Sequence, residues 1–222
     1  TIRTISTEKI GTNIIEKKGV ILDIPIIQDN NYLTQIIYIQ DGKIEKAFND
    51  NEKNIKPYYI PIEDINNDNV IEIPIVKGSG NTYTQKNSAE ISWYKWNGKK
   101  DEKSGLVFIS KIYYNYQYNY KMFIPNNLIN NISIEQEYNA NDVLFKFYYY
   151  NTVNFKNKNL FTISVVSKNV VDDKKNALST NSIILGETGE YSFILYQNDV
   201  EELKKLKINT DALREYFSLI YD

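Results

Sequence analysis

Two stretches of this chain repeat one strand-forming pattern, and each leads into a two-residue turn signal. Gly19-Val20-Ile21-Leu22-Asp23-Ile24-Pro25-Ile26-Ile27 is matched by Asn69-Val70-Ile71-Glu72-Ile73-Pro74-Ile75-Val76. A second apolar run follows each, 35–39 before Asp41-Gly42 and 90–96 before Asn97-Gly98. Asp-Gly and Asn-Gly accept the positive φ angles that tight hairpins require. A third apolar stretch follows each turn, at 44–48 and 106–112. Short apolar runs bounded by such turn residues commit the first half of the chain to antiparallel strands.

An oxygen-rich loop leads into the second copy and overlaps its start. Asp64, Asn66, Asp68 and Glu72 occupy positions 1, 3, 5 and 9 of it, and Ile73-Pro74-Ile75 follows at once. Hard cations such as calcium prefer several oxygen ligands from carboxylates, side-chain amides and backbone carbonyls. An oxygen on every second residue lets the loop curl with Asp64, Asn66 and Asp68 pointing inward. The Val70 carbonyl then closes one side and Glu72 the other. Such a curl needs residues that tolerate the left-handed region, and Asn67 and Asn69 stand at those places; Asn is the most permissive type after Gly. A plain polar turn between two strands is the competing reading of the same residues. In the first copy Ile15, Lys17, Gly19 and Asp23 fall where the second has its oxygens, so only the second copy is expected to hold metal.

The run from Asp64 to Ile73 resembles the calcium loop of VCBS/FG-GAP repeats, which form integrin-type β-propeller blades. In that pattern Gly usually follows the second and third ligands, where this chain has Asn67 and Asn69. The resemblance implies a blade-like β-unit in an exported or surface protein, a scaffold or adhesive module without a set activity. The repeat length of about 50 residues also suits a blade. A propeller needs about four to eight blades, so two copies cannot close a ring. Either further N-terminal repeats complete it, or the two copies pack as a small sandwich.

The second half has another texture. Strands are expected at 113–125, 132–138, 143–150, 160–167, 183–186 and 191–196, with a hairpin at Asn139-Ala140-Asn141-Asp142. Asn198-Asp199-Val200-Glu201 reads as a capping box before a helix at 202–206. Asn209 or Thr210 caps a last amphipathic helix over 211–220, with Leu213, Phe217 and Ile220 on one face. The segments 118–125, 160–166 and 190–195 resemble PsbP-like α/β modules. Those modules open with a strand and an Ile-Pro turn, here Ile124-Pro125, usually followed by Trp, where this chain has Leu128. The resemblance implies a binding or assembly role in exported lipoproteins.

Composition narrows the chemistry. The chain has no Cys and no His. Cys nucleophiles, Ser-His-Asp triads, His bases and His- or Cys-ligated zinc and haem are therefore excluded. Carboxylate pairs, Lys, Tyr and an oxygen-ligated metal remain. A net charge of −2, with Lys scattered among Asp and Glu, offers no basic field for nucleic acid. No run of about 18 apolar residues spans a membrane. The start at Thr1 is read as that of a mature fragment whose export signal has been removed. Asn, Ile and Lys are over-used alongside 19 Tyr, a bias that suits an AT-rich genome.

Two further groups invite a role. Tyr114, Tyr116, Tyr118 and Tyr120 alternate, so on a strand they share one face. Trp93 and Trp96, three apart, face opposite sides of a regular strand, one in the core and one exposed. Aromatic faces of this kind stack on sugars or on a protein partner, though most are packed sheet faces. The acid pairs Glu135/Glu137, Asp172/Asp173 and Glu201/Glu202 matter only if two carboxylates flank a cleft at a set separation.

The reading is a β-rich, α+β chain in two parts. Residues 1–112 hold two blade-like antiparallel repeats with one calcium loop. Residues 113–222 form an antiparallel sheet with C-terminal helices. No catalytic residue is assigned. The expected role is a non-catalytic binding or scaffold protein of lipoprotein type, secreted or held at the cell envelope through a removed N-terminal segment. Its expected partner is a protein or a carbohydrate. A carbohydrate-active enzyme using a carboxylate pair is the alternative.

Overall fold

The computed structural model of the chain describes residues 2–6, 18–27, 31–48, 55–76, 88–100, 105–151, 156–170, 181–209 and 211–220. It is mostly antiparallel β-sheet with two short helices near the C-terminus, the β-rich class expected. The chain divides into two compact units, one of residues 1–85 and 89–110, the other of residues 86–88 and 111–222. The sequence placed the boundary at 112/113, which falls inside a strand. Of the residues singled out in the sequence, Asp172, Asp173 and Thr210 lie outside the described residues.

In the first unit, β1 (Ile2–Ser6), β2 (Lys18–Ile26), β3 (Asn31–Gln40) and β4 (Lys43–Lys46) pair in chain order. The short β5 (Ile55–Lys56) joins β3 beyond β4. Gln40 faces Lys43 across Asp41-Gly42, whose φ angles are 52° and 73°. Both signs are those of the type I′ turn that the dipeptide favours. A second hairpin pairs β6 (Glu72–Ile75) with β7 (Ser88–Trp96). Ile21, Ile36, Tyr38, Phe48, Ile62, Ile73 and Trp96 form one buried cluster of this unit.

The two sequence copies do not share one register. Asp23 lies opposite Thr34, seven residues before its Asp-Gly turn, whereas Glu72 lies opposite Lys95, two residues before Asn97. Nor is Asn97-Gly98 a two-residue hairpin. Asn97 Oδ1 accepts the Lys99 N–H at 3.1 Å, and the Asn97 N–H reaches the Gly105 carbonyl at 2.9 Å. The side chain closes a small turn of its own, and a longer connection follows.

β8 (Leu106–Asn115) belongs to both units, the division falling between Ser110 and Lys111. In the second unit it pairs with β9 (Tyr120–Ile124). A separate five-stranded sheet holds β10 (Ile132–Tyr138), β11 (Asp142–Asn151), β12 (Lys156–Ser167), β13 (Ser182–Glu187) and β14 (Tyr191–Gln197), ordered β10-β11-β12-β14-β13. At the centre of that sheet Leu160 to Val166 are all buried, so the strand reads as a continuous apolar run with Thr162 and Ser164 as its polar members. The edge strand β10 instead alternates half-buried and exposed residues from Ile132 to Glu137. The core is aromatic: Tyr113, Tyr120, Phe145, Phe147, Phe161, Phe193 and Phe217 meet in it.

Helix α1 (Val200–Lys205) begins two residues before the expected 202, and its cap lies one residue after Asn198, where the capping box placed it. Its cap is Asp199, whose Oδ1 accepts the Glu202 N–H at 2.9 Å. Asn198 instead donates to Thr162 Oγ1 at 2.7 Å. The last helix is a correction. Only α2 (Ala212–Glu215) is helical, and β15 (Phe217–Leu219) then pairs with β9. The cause is tertiary. Phe123 donates to the Tyr216 carbonyl at 2.8 Å, and Ile220 to the Asn119 carbonyl at 2.9 Å. The backbone of β9 thus captures the chain that a local pattern would have kept helical. Gly186 permits this, since a Cβ there would stand 3.2 Å from the Phe217 ring.

Candidate metal centre

The loop before β6 is built by its own side chains. Asp64 Oδ1 accepts the Asp68 N–H at 3.1 Å and its Oδ2 accepts that of Asn69 at 2.9 Å. Asn66 Oδ1 also accepts the Asp68 N–H, at 3.1 Å, while Asn66 Nδ2 donates to Asp68 Oδ2 at 2.9 Å. The Val70 N–H, on a buried residue, donates to Asp68 Oδ1 at 2.8 Å. Asn67 and Asn69 have φ of 59° and 66°. These are the two positions where the sequence demanded left-handed tolerance.

The curl brings Asp64, Asp68 and Glu72 together, each offering an oxygen within 4.8 Å of the other two. Asp64 is half-buried and Asp68 exposed. Glu72 is fully buried at 0 % exposure, because it starts β6 with its N–H bonded to the Glu63 carbonyl at 2.8 Å. Its Oε2 accepts the Ile65 N–H at 2.9 Å. Its Oε1 is buried with no hydrogen-bond partner among the described residues. Burial pushes the Glu72 carboxyl up to about 7, and the charges of Asp68 and Asp64 add to the shift against the Ile65 N–H and Lys95. An uncompensated buried carboxylate oxygen beside two further carboxylates is costly. A bound cation relieves all three at once.

Of the expected ligands, Asp64, Asp68 and Glu72 converge, and Asn66 sits among them as a hydrogen-bond partner of Asp68. The buried, unpartnered Oε1 of Glu72 was not legible in the sequence, since no local signal marks that depth.

The aromatic expectation is corrected. Trp93 and Trp96 are both 1 % exposed; β7 lies between β6 and β8, and its successive residues Ile91, Ser92 and Trp93 are all buried. The Trp96 Nε1–H donates to the Lys99 carbonyl at 3.0 Å. Nor do the four tyrosines share a strand face, because a turn over residues 116–119 separates β8 from β9. Asn115 Oδ1 accepts the Tyr118 N–H at 3.1 Å, and Asn119 has φ of 54°. Tyr120 is fully buried, Tyr118 and Tyr114 are 8 % exposed, and Tyr116 is 37 % exposed, stacked on Tyr114.

The two acid pairs among the described residues are on the surface or tied up. Glu135 and Glu137 are exposed on β10, with Lys146 on Glu137. Glu201 is exposed, and Glu202 pairs with Lys158 at 2.6 Å. No helix of the described residues is long and apolar enough to cross a membrane. Neither protein-family models, nor curated proteins, nor solved structures gave a match to this chain.

Proposed function

We propose that this chain binds calcium on Asp64, Asp68 and Glu72 and works as a non-catalytic binding or scaffold protein, secreted or held at the cell envelope. The observation that carries the metal reading is the buried Glu72 with its unpartnered Oε1, set within one coordination shell of two other carboxylates. An all-oxygen donor set on a curled loop suits calcium, which takes flexible, oxygen-rich coordination. Asn66 and the Val70 carbonyl stand next in the chain to complete the shell. The scaffold role rests on the likeness of this loop to VCBS/FG-GAP blades and on the β-rich architecture. Outside the cell, calcium modules of this kind work at about 0.1–1 mM.

Calorimetric titration with calcium, and in parallel with magnesium, tests the metal reading on the wild type and an Asp64→Ala, Asp68→Ala variant. Saturable heat from calcium that the variant lacks is expected. Identical heats from the two proteins overturn it. A panel of glycosides tests the non-catalytic role, and turnover lost on replacing a single acid would favour the carbohydrate-active enzyme instead.

A further inference from the structure

The deepest charge pair among the described residues of the first unit lies elsewhere, between β2 and β5. Lys56 Nζ is 2.6 Å from Asp23 Oδ1, with the two side chains 2 % and 0 % exposed. The same Nζ donates to the Ile60 carbonyl at 2.9 Å, and Thr34 Oγ1 donates to Asp23 Oδ1 at 2.8 Å. Asp23 stands opposite Thr34 on one side of β3, and Lys56 opposite Tyr32 on the other. Residues 32 and 34 share a face of β3, so the amine and the carboxylate meet across that strand.

We propose that Lys56 and Asp23 condense into an intramolecular amide that staples β2 to β5 across β3. In water such a condensation is opposed by solvent, whereas here the two groups are dry and already in contact, which supplies a high effective molarity. Burying an ion pair carries a desolvation penalty for each charge, and the amide removes both. Burial also pulls the Lys56 ammonium below its ordinary pKa, against the opposing pull of Asp23, which eases proton transfer to the carboxylate.

The step balances without a co-reactant. One proton passes from the ammonium to the carboxylate, leaving an amine and a carboxylic acid. The Nζ lone pair forms a bond to Cγ, and the Thr34 hydroxyl stabilises the charge that develops on Oδ1. The C–O bond to the other carboxyl oxygen then breaks, and that oxygen leaves as water with a second proton from Nζ. The product keeps one N–H for the Ile60 carbonyl and a carbonyl oxygen for Thr34, so both observed bonds survive. A cavity of about 10 Å³ borders Thr34 and Lys56, about the room that one water needs.

Intact mass spectrometry of the purified, unreduced wild-type chain decides the matter, followed by proteolysis and peptide sequencing. The expected mass is lower than that of the sequence by one water, with a branched peptide joining the segments of Asp23 and Lys56. Asp23→Ala and Lys56→Met should each return to their full sequence mass. A wild type at full mass, with both segments recovered as linear peptides, overturns the proposal. So does a loss of water that persists in either variant. The wild-type measurement alone is decisive if a variant fails to fold.

Discussion

The backbone N–H of Ile65 donates to Oε2 of Glu72 at 2.9 Å, and the second oxygen of that carboxylate is left buried with no partner among the described residues. One oxygen thus holds the loop to the strand while the other is available to a ligand. The same group makes the fold sensitive to pH.

In chelator, stability should fall as pH rises between 4.5 and about 7. The sign follows from the shift. The folded chain holds its proton on Glu72 up to about 7, whereas the unfolded chain releases it near 4.5, so folding takes up a proton in that window. Below the window the carboxyl is neutral in both states and carries no charge-burial cost; above it the full cost of the buried carboxylate is present. Thermal melts of the wild type and Glu72→Gln across the window measure this, and the variant should show the smaller slope. Adding calcium at about a hundred times its Kd should restore about 2.7 kcal/mol at the alkaline end.

Loop shape, and not charge alone, should set metal affinity. Asn69 is exposed with φ of 66°, a conformation that β-branched residues resist. Asn69→Val keeps every carboxylate yet adds about 1–2 kcal/mol of left-handed strain. Calcium should then bind roughly 5- to 30-fold more weakly, given that 1.4 kcal/mol is tenfold. Asn69→Gly should bind at least as tightly as wild type in the same titration. Equal affinity in the Val variant would mean that the loop does not hold this shape around the ion.

What could be read from the sequence was whatever the backbone decides locally. Asn67, Asn69 and the Asp41-Gly42 turn take positive φ where their side chains allow it, and the hairpin β10–β11 turns at 139–142 as its polar residues imply. The tyrosine stripe failed because Asn115 and Asn119 insert a turn into an alternation that looked continuous. The segment after α2 failed because its fate lies with β9, nearly a hundred residues earlier. The contact between Lys56 and Asp23 left no local trace either, the two being 33 positions apart.

Phe217 should be a large contributor to the second unit. Its ring stacks on Tyr120 at 5.5 Å with planes 24° apart and lies 5.2 Å from Phe193. Phe217→Ala should cost about 3–5 kcal/mol, the range for a buried aromatic truncated to Ala. Denaturant unfolding followed by tyrosine fluorescence measures it. If residues 211–220 formed a single surface helix, the loss would be much smaller, because no aromatic cluster would be opened.

The place at which the second unit is cut should matter by two residues. Lys111 and Ile112 pair with Ile124 and Phe123, and Ile112 is fully buried. Lys111 Nζ also donates to the Ile129 carbonyl at 2.8 Å, tying β8 to the chain after β9. A fragment of residues 113–222 loses these contacts and leaves the outer end of β9 without a partner on that side, whereas 111–222 retains them. Removing a buried Ile costs on the order of 2–5 kcal/mol when the site cannot close over the gap. The shorter fragment should therefore melt at lower temperature and exchange the amide of Phe123 or Ile124 faster, measured by calorimetry and hydrogen exchange. Equal melting of the two would place the working boundary at 112/113, and β8 would then be dispensable beyond Tyr113.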